Sequence, residues 1–427
     1  MALAATAAGI GPEPDSGTEA SVALRRRTRS TYGAVLGAAV LCYAALGAVL
    51  PALPRFAGIR LHGGPVAVGL AVGAPSLSGA FLRPLGGRFA DRSGPFSVLL
   101  AGAVLMAVGV VPAFVPALPA LIGSRLLVGG GEALMMSAAV LWLLRLAGPA
   151  RRARAVGHAG LANYAGLTVG PLLADAIGPA AHLDRLWAAA AALPLLGGAV
   201  AAACRAEQGG PLRGRAEAPV AGGSGTAPLA RLTLRPGMGL LLVNVGYVAV
   251  LSFGATAAAA HGIHIAALIV PIFGVGVIVS RTLFGSLPDR LGGARTLTGA
   301  ALLEALGLVV AATTRSEPLA VLGLLALALG QGVAVPSLGL LALSRVEPGR
   351  QGAAAGLFFA YFDAGVGLGG PLVGMAARAF GAPAALLVAA VAVAAAIPAA
   401  LLRAGAGDAP PRRRGVSAPV GDAEGPR

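Results

Sequence analysis

Arg83-Pro84-Leu85-Gly86-Gly87-Arg88-Phe89-Ala90-Asp91-Arg92-Ser93-Gly94 returns 198 positions later as Arg281-Thr282-Leu283-Phe284-Gly285-Ser286-Leu287-Pro288-Asp289-Arg290-Leu291-Gly292. Seven residues separate the leading Arg from the Asp in both copies, and Gly, Asp, Arg and Gly fall at identical offsets. A second pair, Gly170-Pro171 and Gly370-Pro371, repeats at a shift of 200. The chain is therefore expected to consist of two related halves.

Around these motifs the composition is that of a lipid-embedded chain. Of 427 residues, 57% are hydrophobic and 11% charged, and the mean hydropathy is +0.82. A globular chain carries roughly 25% charged residues. Here apolar runs recur at lengths near twenty, about what a helix needs to cross a ~30 Å hydrocarbon core. Twelve such segments can be drawn, at about 32–54, 66–87, 97–118, 120–144, 155–177, 185–204, 237–260, 264–287, 296–314, 318–344, 351–376 and 380–402. The polar stretch from Arg205 to Arg235, rich in Gly, Pro, Ala and Arg, divides them six and six and reads as a flexible linker.

The expected architecture is an all-α polytopic membrane protein with twelve transmembrane helices in two six-helix pseudo-repeats. It comprises a disordered tail 1–30, a bundle 31–204, a linker 205–236, a second bundle 237–402 and a disordered tail 403–427. This excludes a soluble enzyme, a disordered chain and a secreted disulfide scaffold. Parallel six-helix repeats face each other across a central cavity in transporters, so a transporter is the expected class.

The net charge of +15 would suggest nucleic acid for a soluble chain, but here it reports topology. All 32 basic residues are Arg, which fits a GC-rich genome. With the N-terminus placed inside, 26 arginines fall on the cytoplasmic side and five outside (Arg55, Arg60, Arg185, Arg315, Arg378), leaving Arg125 within a span. Basic residues are retained on the cytoplasmic side, so both termini are expected there, in a bacterial plasma membrane. The cysteines, Cys42 and Cys204, lie in apolar runs and are expected to pack rather than pair. His261 and His264 lack a neighbouring Cys, Asp or Glu in sequence and make a poor metal site. No P-loop and no Ser/His/Asp arrangement is present, so neither ATP-driven transport nor an enzyme is expected, and no cofactor is implied.

These motifs carry a family resemblance. Gly86-Gly87-Arg88-Phe89-Ala90-Asp91-Arg92-Ser93-Gly94 resembles the signature between spans 2 and 3 of the major facilitator superfamily. Span 5, with Gly157, Gly166, Gly170 and Pro171, resembles the antiporter motif of its drug:proton exporters, except that Ala174-Asp175 stands where that motif ends in Gly-Gly. Span 4, Arg125-Leu-Leu-Val-Gly129-Gly-Gly131-Glu132, resembles a third signature, whose intramembrane Arg is implicated in proton transfer. The resemblance implies alternating access, with small-molecule substrate and protons as partners in the bilayer and a monomer as the working unit. Proton-coupled efflux is the leading expectation. A sugar or metabolite permease, or a non-transporting assembly factor or sensor, are the alternatives.

The resemblance also implies a conformational latch at Arg83, Gly87, Asp91 and Arg92 and at Arg281, Asp289 and Arg290. Intramembrane charges usually face a cavity or a partner because they cost about 2.5 kcal/mol or more. Arg125 and Glu132 stand seven residues apart, two turns and ~10 Å along one helix face, too far for a direct ion pair without bending or a bridging water. Either Glu132 binds and releases the coupled proton, or it is a static ion-pair partner between helices. Asp363, at the position of Asn163 under the 200-residue shift, is the second proton-coupling candidate, and Glu304 is a weaker one. Asn163, Tyr164, Asn244, Gln331 and Tyr361, with Tyr43 and Tyr247, are candidate cavity residues. The span-5 glycines are expected to let helices pack closely, with Pro171 allowing a bend where the two bundles meet.

Overall fold

The computed structural model describes residues 19–148, 151–178, 183–206, 226–344, 346 and 351–401. The rest of both expected tails and the middle of the expected linker lie outside them. Among the described residues the chain forms twelve long helices: α1 (Glu19–Val49), α2 (Gly64–Ser93), α3 (Pro95–Val110), α4 (Leu118–Ala147), α5 (Arg152–Ile177), α6 (Leu183–Ala206), α7 (Thr226–Ala249), α8 (Ile269–Phe284), α9 (Gly293–Thr313), α10 (Glu317–Leu343), α11 (Gln351–Phe380) and α12 (Ala382–Leu401). A wider helical turn, Val250–Gly254, carries α7 on into Ala255–Ala260. Eleven helical segments are long and apolar enough to cross a membrane. The exception is α5, whose 26 residues include Asn163, Thr168 and Asp175. It packs between α1 and α8, which covers Thr168 and partly covers Asn163, while Asp175 is exposed close to the helix end.

Helix ends depart from the expected boundaries. α1 begins inside the expected tail, because residues 19–30 hold Ala, Leu and Arg helix formers and neither Gly nor Pro. α7 likewise begins within the expected linker. The motif between spans 2 and 3 is helical: α2 runs on through Ser93 and stops at Gly94, with φ +85° and ψ 147°. Gly292 ends the second copy with φ +85° and ψ 143°, a conformation that glycine reaches without a Cβ penalty. In that copy the helix breaks after Phe284 and restarts as the short Leu287–Leu291, because the ring of Pro288 would clash with the Phe284 carbonyl of an unbroken helix.

The two halves repeat in their packing. Gly166 and Gly170 of α5 lie against Val40, Ala44 and Ala48 of α1, and Gly365 and Gly369 of α11 lie against Leu241, Asn244, Val245 and Val248 of α7. Gly131 of α4 abuts Gly102 and Met106 of α3, as Gly330 of α10 abuts Ala300 and Glu304 of α9. A Cβ at Gly131, Gly166, Gly170, Gly330 or Gly365 would meet backbone below 3 Å, and one at Gly369 would come within 3.1 Å of the Val248 side chain, so the seams depend on small residues. Thus α1–α6 and α7–α12 are two versions of one bundle. Glu304 occupies the place that Met106 fills in the first.

Candidate functional site

The halves meet along α2 with α11 and along α5 with α8. α2 and α11 run antiparallel: Gly374 faces Pro65, Gly370 faces Gly69, Gly367 faces Gly73 and Leu77, and Asp363 faces Gly79. Cβ atoms built at Gly69 and Gly370 would each overlap the other's carbonyl. The seam is closed from the end of the bundle remote from the start of α1, here termed the far end, inward to Asp363. α5 and α8 cross in the same sense, with Gly274 against Thr168 and Tyr164, and Arg281 against Gly160.

At the inner limit of the α2–α11 seam three charged residues converge. Arg83 Nε donates to Asp363 Oδ2 at 2.7 Å, and Arg83 Nη2 donates to Glu132 Oε2 at 3.1 Å and Oε1 at 3.2 Å. Tyr43 Oη donates to Glu132 Oε1 at 2.5 Å. One guanidinium thus binds a carboxylate from each half, with α1, α2, α4 and α11 each contributing a side chain. The Asp363 and Glu132 side chains are 1% and 4% exposed, whereas that of Arg83 is 29% exposed. The carboxylates are buried, and the cation between them remains reachable. Such buried ion pairs need several good hydrogen bonds to offset the desolvation of their charges.

The sequence-derived expectations change here. Arg83, grouped with the latch, lies inside α2 eight residues before Asp91, about 12 Å deeper by helical rise, and is the hub of the buried cluster. Glu132 partners Arg83 and Tyr43. Arg125, 3% exposed, donates from Nε to the Ala71 carbonyl at 2.9 Å and makes no ion pair with Glu132. Spacing along one helix could not reveal that α2 and α1 supply the partners of Glu132. Cys42, next to Tyr43, is buried with Sγ 3.4 Å from Met106 Sδ, and Cys204 Sγ lies 3.8 Å from Ser30 Oγ; both are free thiols.

Across the pseudo-two-fold, Arg281 occupies the position of Arg83 but its surroundings differ. Its guanidinium lies 4.8 Å from the ring centroid of Tyr164, and its buried Nε has no hydrogen-bond partner. Tyr164 and Tyr247 rings meet edge-on at 6.4 Å, and the Phe273 and Phe362 rings lie tilted against Tyr247 at 5.9 and 6.0 Å. Four aromatic rings from both halves therefore close the centre of the molecule.

The remaining candidates spread over three environments. Asp91 pairs with Arg145 of α4 at 3.3 Å, within one half and largely exposed, an arrangement worth at most about 1 kcal/mol. Arg92, Asp289 and Arg290 are exposed, and a Cβ on Gly87 or Gly157 would meet nothing within 4 Å. Gly166 and Gly170 pack on α1 and the Pro171 ring lies against Gly47 of α1, while Thr168, three residues before Pro171, meets Gly274 of α8 where the bundles join. Asn163 Oδ1 is buried without a partner, and Tyr361 lies against Gly237 of α7. His261 is bound to the Ala312 carbonyl at 2.9 Å, and His264 pairs with Glu317 of α10 at 3.0 Å, a carboxylate remote in sequence; among the described residues no cluster suits a metal.

Asn244, Gln331 and Glu304 are wholly buried inside the second half and present no surface to a cavity. Asn244 donates to the Leu240 carbonyl at 2.8 Å. Gln331 sits between Asn244 and Glu304. Turning its amide nitrogen to Glu304 gives contacts of 3.1 and 3.3 Å, which we prefer to a 3.5 Å contact with Asn244 because the carboxylate is otherwise without a donor. Glu304→Gln should therefore keep the melting temperature within a few degrees, whereas Glu304→Ala should cost about 2–5 kcal/mol by emptying the space and orphaning the Gln331 amide. Thermal unfolding of the detergent-solubilised protein checks this.

Two six-helix halves with an ionic bridge and an aromatic plug between them define a multi-pass membrane transporter. The family model of the Major Facilitator Superfamily matches residues 35–262. The chain is 30% identical over 368 residues to an uncharacterized MFS-type transporter of Burkholderia mallei, covering 84% of this chain and 88% of that one. A similar relative in Salmonella typhimurium is 29% identical, with 82% and 90% covered. The chain belongs to the Major Facilitator Superfamily, a family of transport proteins rather than enzymes. Among solved structures, a bacterial homolog of the human lysosomal transporter Spinster superposes with TM-score 0.67 at 16% identity, covering 90% of this chain and 96% of that one. A D-xylose-proton symporter gives 0.66 at 17%, with 87% and 98% covered.

Proposed function

We propose that this transporter is a proton-coupled exporter of small molecules, of the drug:proton antiporter kind, working as a monomer in a bacterial plasma membrane with both termini cytoplasmic. The observation that supports coupling is the bridge from Asp363 through Arg83 to Glu132. Asp363 belongs to one half, and Arg83 and Glu132 to the other, so the Arg83–Asp363 contact spans the seam that alternating access must open. A proton on Asp363 removes its charge and loosens the tie; release of the proton restores it. A contact made in one state only shifts the equilibrium by its differential free energy. Moving a population from 1:99 to 99:1 takes about 5.5 kcal/mol, and breaking a buried ion pair costs about 3–5 kcal/mol, so this bridge is of the right size. With the N-terminus inside, the closed far end is external.

The antiporter-like motif on α5 supports the export direction. Asp363→Asn, expressed at matched levels, should lower drug resistance of overexpressing cells and substrate-linked proton flux in inverted vesicles at least tenfold. Unchanged proton flux in the variant would refute the role of Asp363 as the coupling group. Uptake is the second reading, because the solved structures of similar fold include a nucleoside transporter and the D-xylose-proton symporter. Proton-linked accumulation of nucleosides or sugars, without resistance, would favour it. Absence of any substrate-linked flux would instead indicate an assembly factor or sensor.

A further inference from the structure

We infer that Arg281 is a docking point for an oxyanion carried by the transported molecule, so that the cargo is a small organic anion bearing a carboxylate, phosphate or sulfonate. This deepens the transporter reading above and rests on it. The repeat supplies the argument. Arg83 and Arg281 are equivalent residues at equivalent crossings of the two halves. Arg83 is held by Asp363 and Glu132. Around Arg281 the corresponding positions carry no carboxylate: Tyr164 of α5 is one residue from the position equivalent to Asp363, and Gln331 of α10 stands 199 residues after Glu132.

Among the described residues the Arg281 guanidinium has an aromatic face 4.8 Å away and no hydrogen-bond or ion-pair partner, with its Nε fully buried. The side chain as a whole is only partly buried, so it is reachable from outside the packed protein. An isolated cation in a low-dielectric site is costly, and five fixed donors suit a planar oxyanion bound through two of them. Arg125 is also buried and has no carboxylate partner, but it is 3% exposed and already bonded to the Ala71 carbonyl. Arg281 lies over the ring of Tyr164, which in turn meets Tyr247 edge-on at 6.4 Å, so the site borders the aromatic centre between the halves.

The test uses the full chain purified in detergent, with benzoate, phenyl phosphate and benzenesulfonate as probes and benzamide and benzylamine as neutral and cationic controls. At least one anion should raise the melting temperature by several degrees more than either control. Arg281→Met should abolish that shift, and Arg281→Lys should retain it with about tenfold weaker affinity. Without ligand, Arg281→Met should melt no lower than wild type, because it removes a charge with no internal counter-ion. A marked fall in stability would mean that Glu132 or another group of the protein serves that charge, and would overturn the inference. So would a set in which no anion stabilises more than the controls, or an anion shift that survives Arg281→Met. Binding in detergent needs no proton gradient, so loss of coupling with intact anion binding would sink only the proton-coupled reading. Proton-linked transport of neutral or cationic cargo alone would sink only the anion site.

Discussion

Arg83→Gln should abolish transport and cut the yield of folded protein. The substitution leaves the Asp363 and Glu132 carboxylates buried with no cation between them. Removing one partner of a buried pair costs about 3–5 kcal/mol. At about 1.4 kcal/mol per factor of ten, that corresponds to a hundredfold or greater shift in any equilibrium the bridge controls. Loss of folding and loss of function are separated by a double-mutant cycle. Arg83→Gln combined with Asp363→Asn removes the charge from both sides of the seam, so it should recover stability relative to Arg83→Gln alone, with a coupling energy of about 0.5–3 kcal/mol. Transport should stay absent in the double variant, because the charge that responds to protonation is gone. Arg83→Lys should be intermediate: a single ammonium keeps the charge but not the fork that reaches both carboxylates. Melting temperatures of the four cycle members, with proton flux in vesicles, measure this. Additive single effects would show that Arg83 and Asp363 are not energetically joined.

Gly69→Val should prevent closure of the far end. The backbones of α2 and α11 touch at Gly69 and Gly370, and a Cβ there would overlap the opposing carbonyl. No flexible side chain is available to give way, so the helices must separate. Overpacking of a tight core costs about 1–3 kcal/mol, and here the cost falls only on the conformation in which the two halves touch. The equilibrium should move about tenfold or more toward the state open at the far end, with transport lowered to match. Spectroscopic distances between labels on the far ends of α2 and α11 should lengthen. Gly157→Ala is the control, since a Cβ there would meet nothing within 4 Å. Unchanged distances and transport in Gly69→Val would show that the seam at Gly69 is not part of the cycle.

Much of the architecture was legible from two facts about the sequence. Apolar runs near twenty residues predicted the helices, and the recurrence of Arg83–Gly94 as Arg281–Gly292 predicted two halves, because a repeated motif at a fixed shift marks a repeated unit of packing. The departures have local causes. Averaging composition over the first thirty residues concealed the helix-forming stretch that begins α1. The motif after span 2 looked like a loop because of its charges and glycines, yet only Gly94 needs a conformation that ends a helix.

The site was legible as a set of residues and not as an arrangement. Scarcity of charge within apolar spans singled out Arg125, Glu132, Asp363 and Glu304, because each ionisable group in lipid needs a compensating partner. Which partner it finds depends on helix packing, which residue spacing along one helix does not encode. Glu132 and Arg125 share α4, but the close approach of α2 to α4 and α11 delivers Arg83 to Glu132 and Asp363, and α1 delivers Tyr43. Glu304, equally ionisable in sequence, turns inward onto Gln331 and away from the seam. The sequence by itself determined that this is a membrane protein of two repeated six-helix halves, since hydropathy and repeat length are properties of the chain. Only the tertiary structure decided that Arg83 is neutralised by two carboxylates while its twin Arg281 is not, since that difference lies in which helices touch.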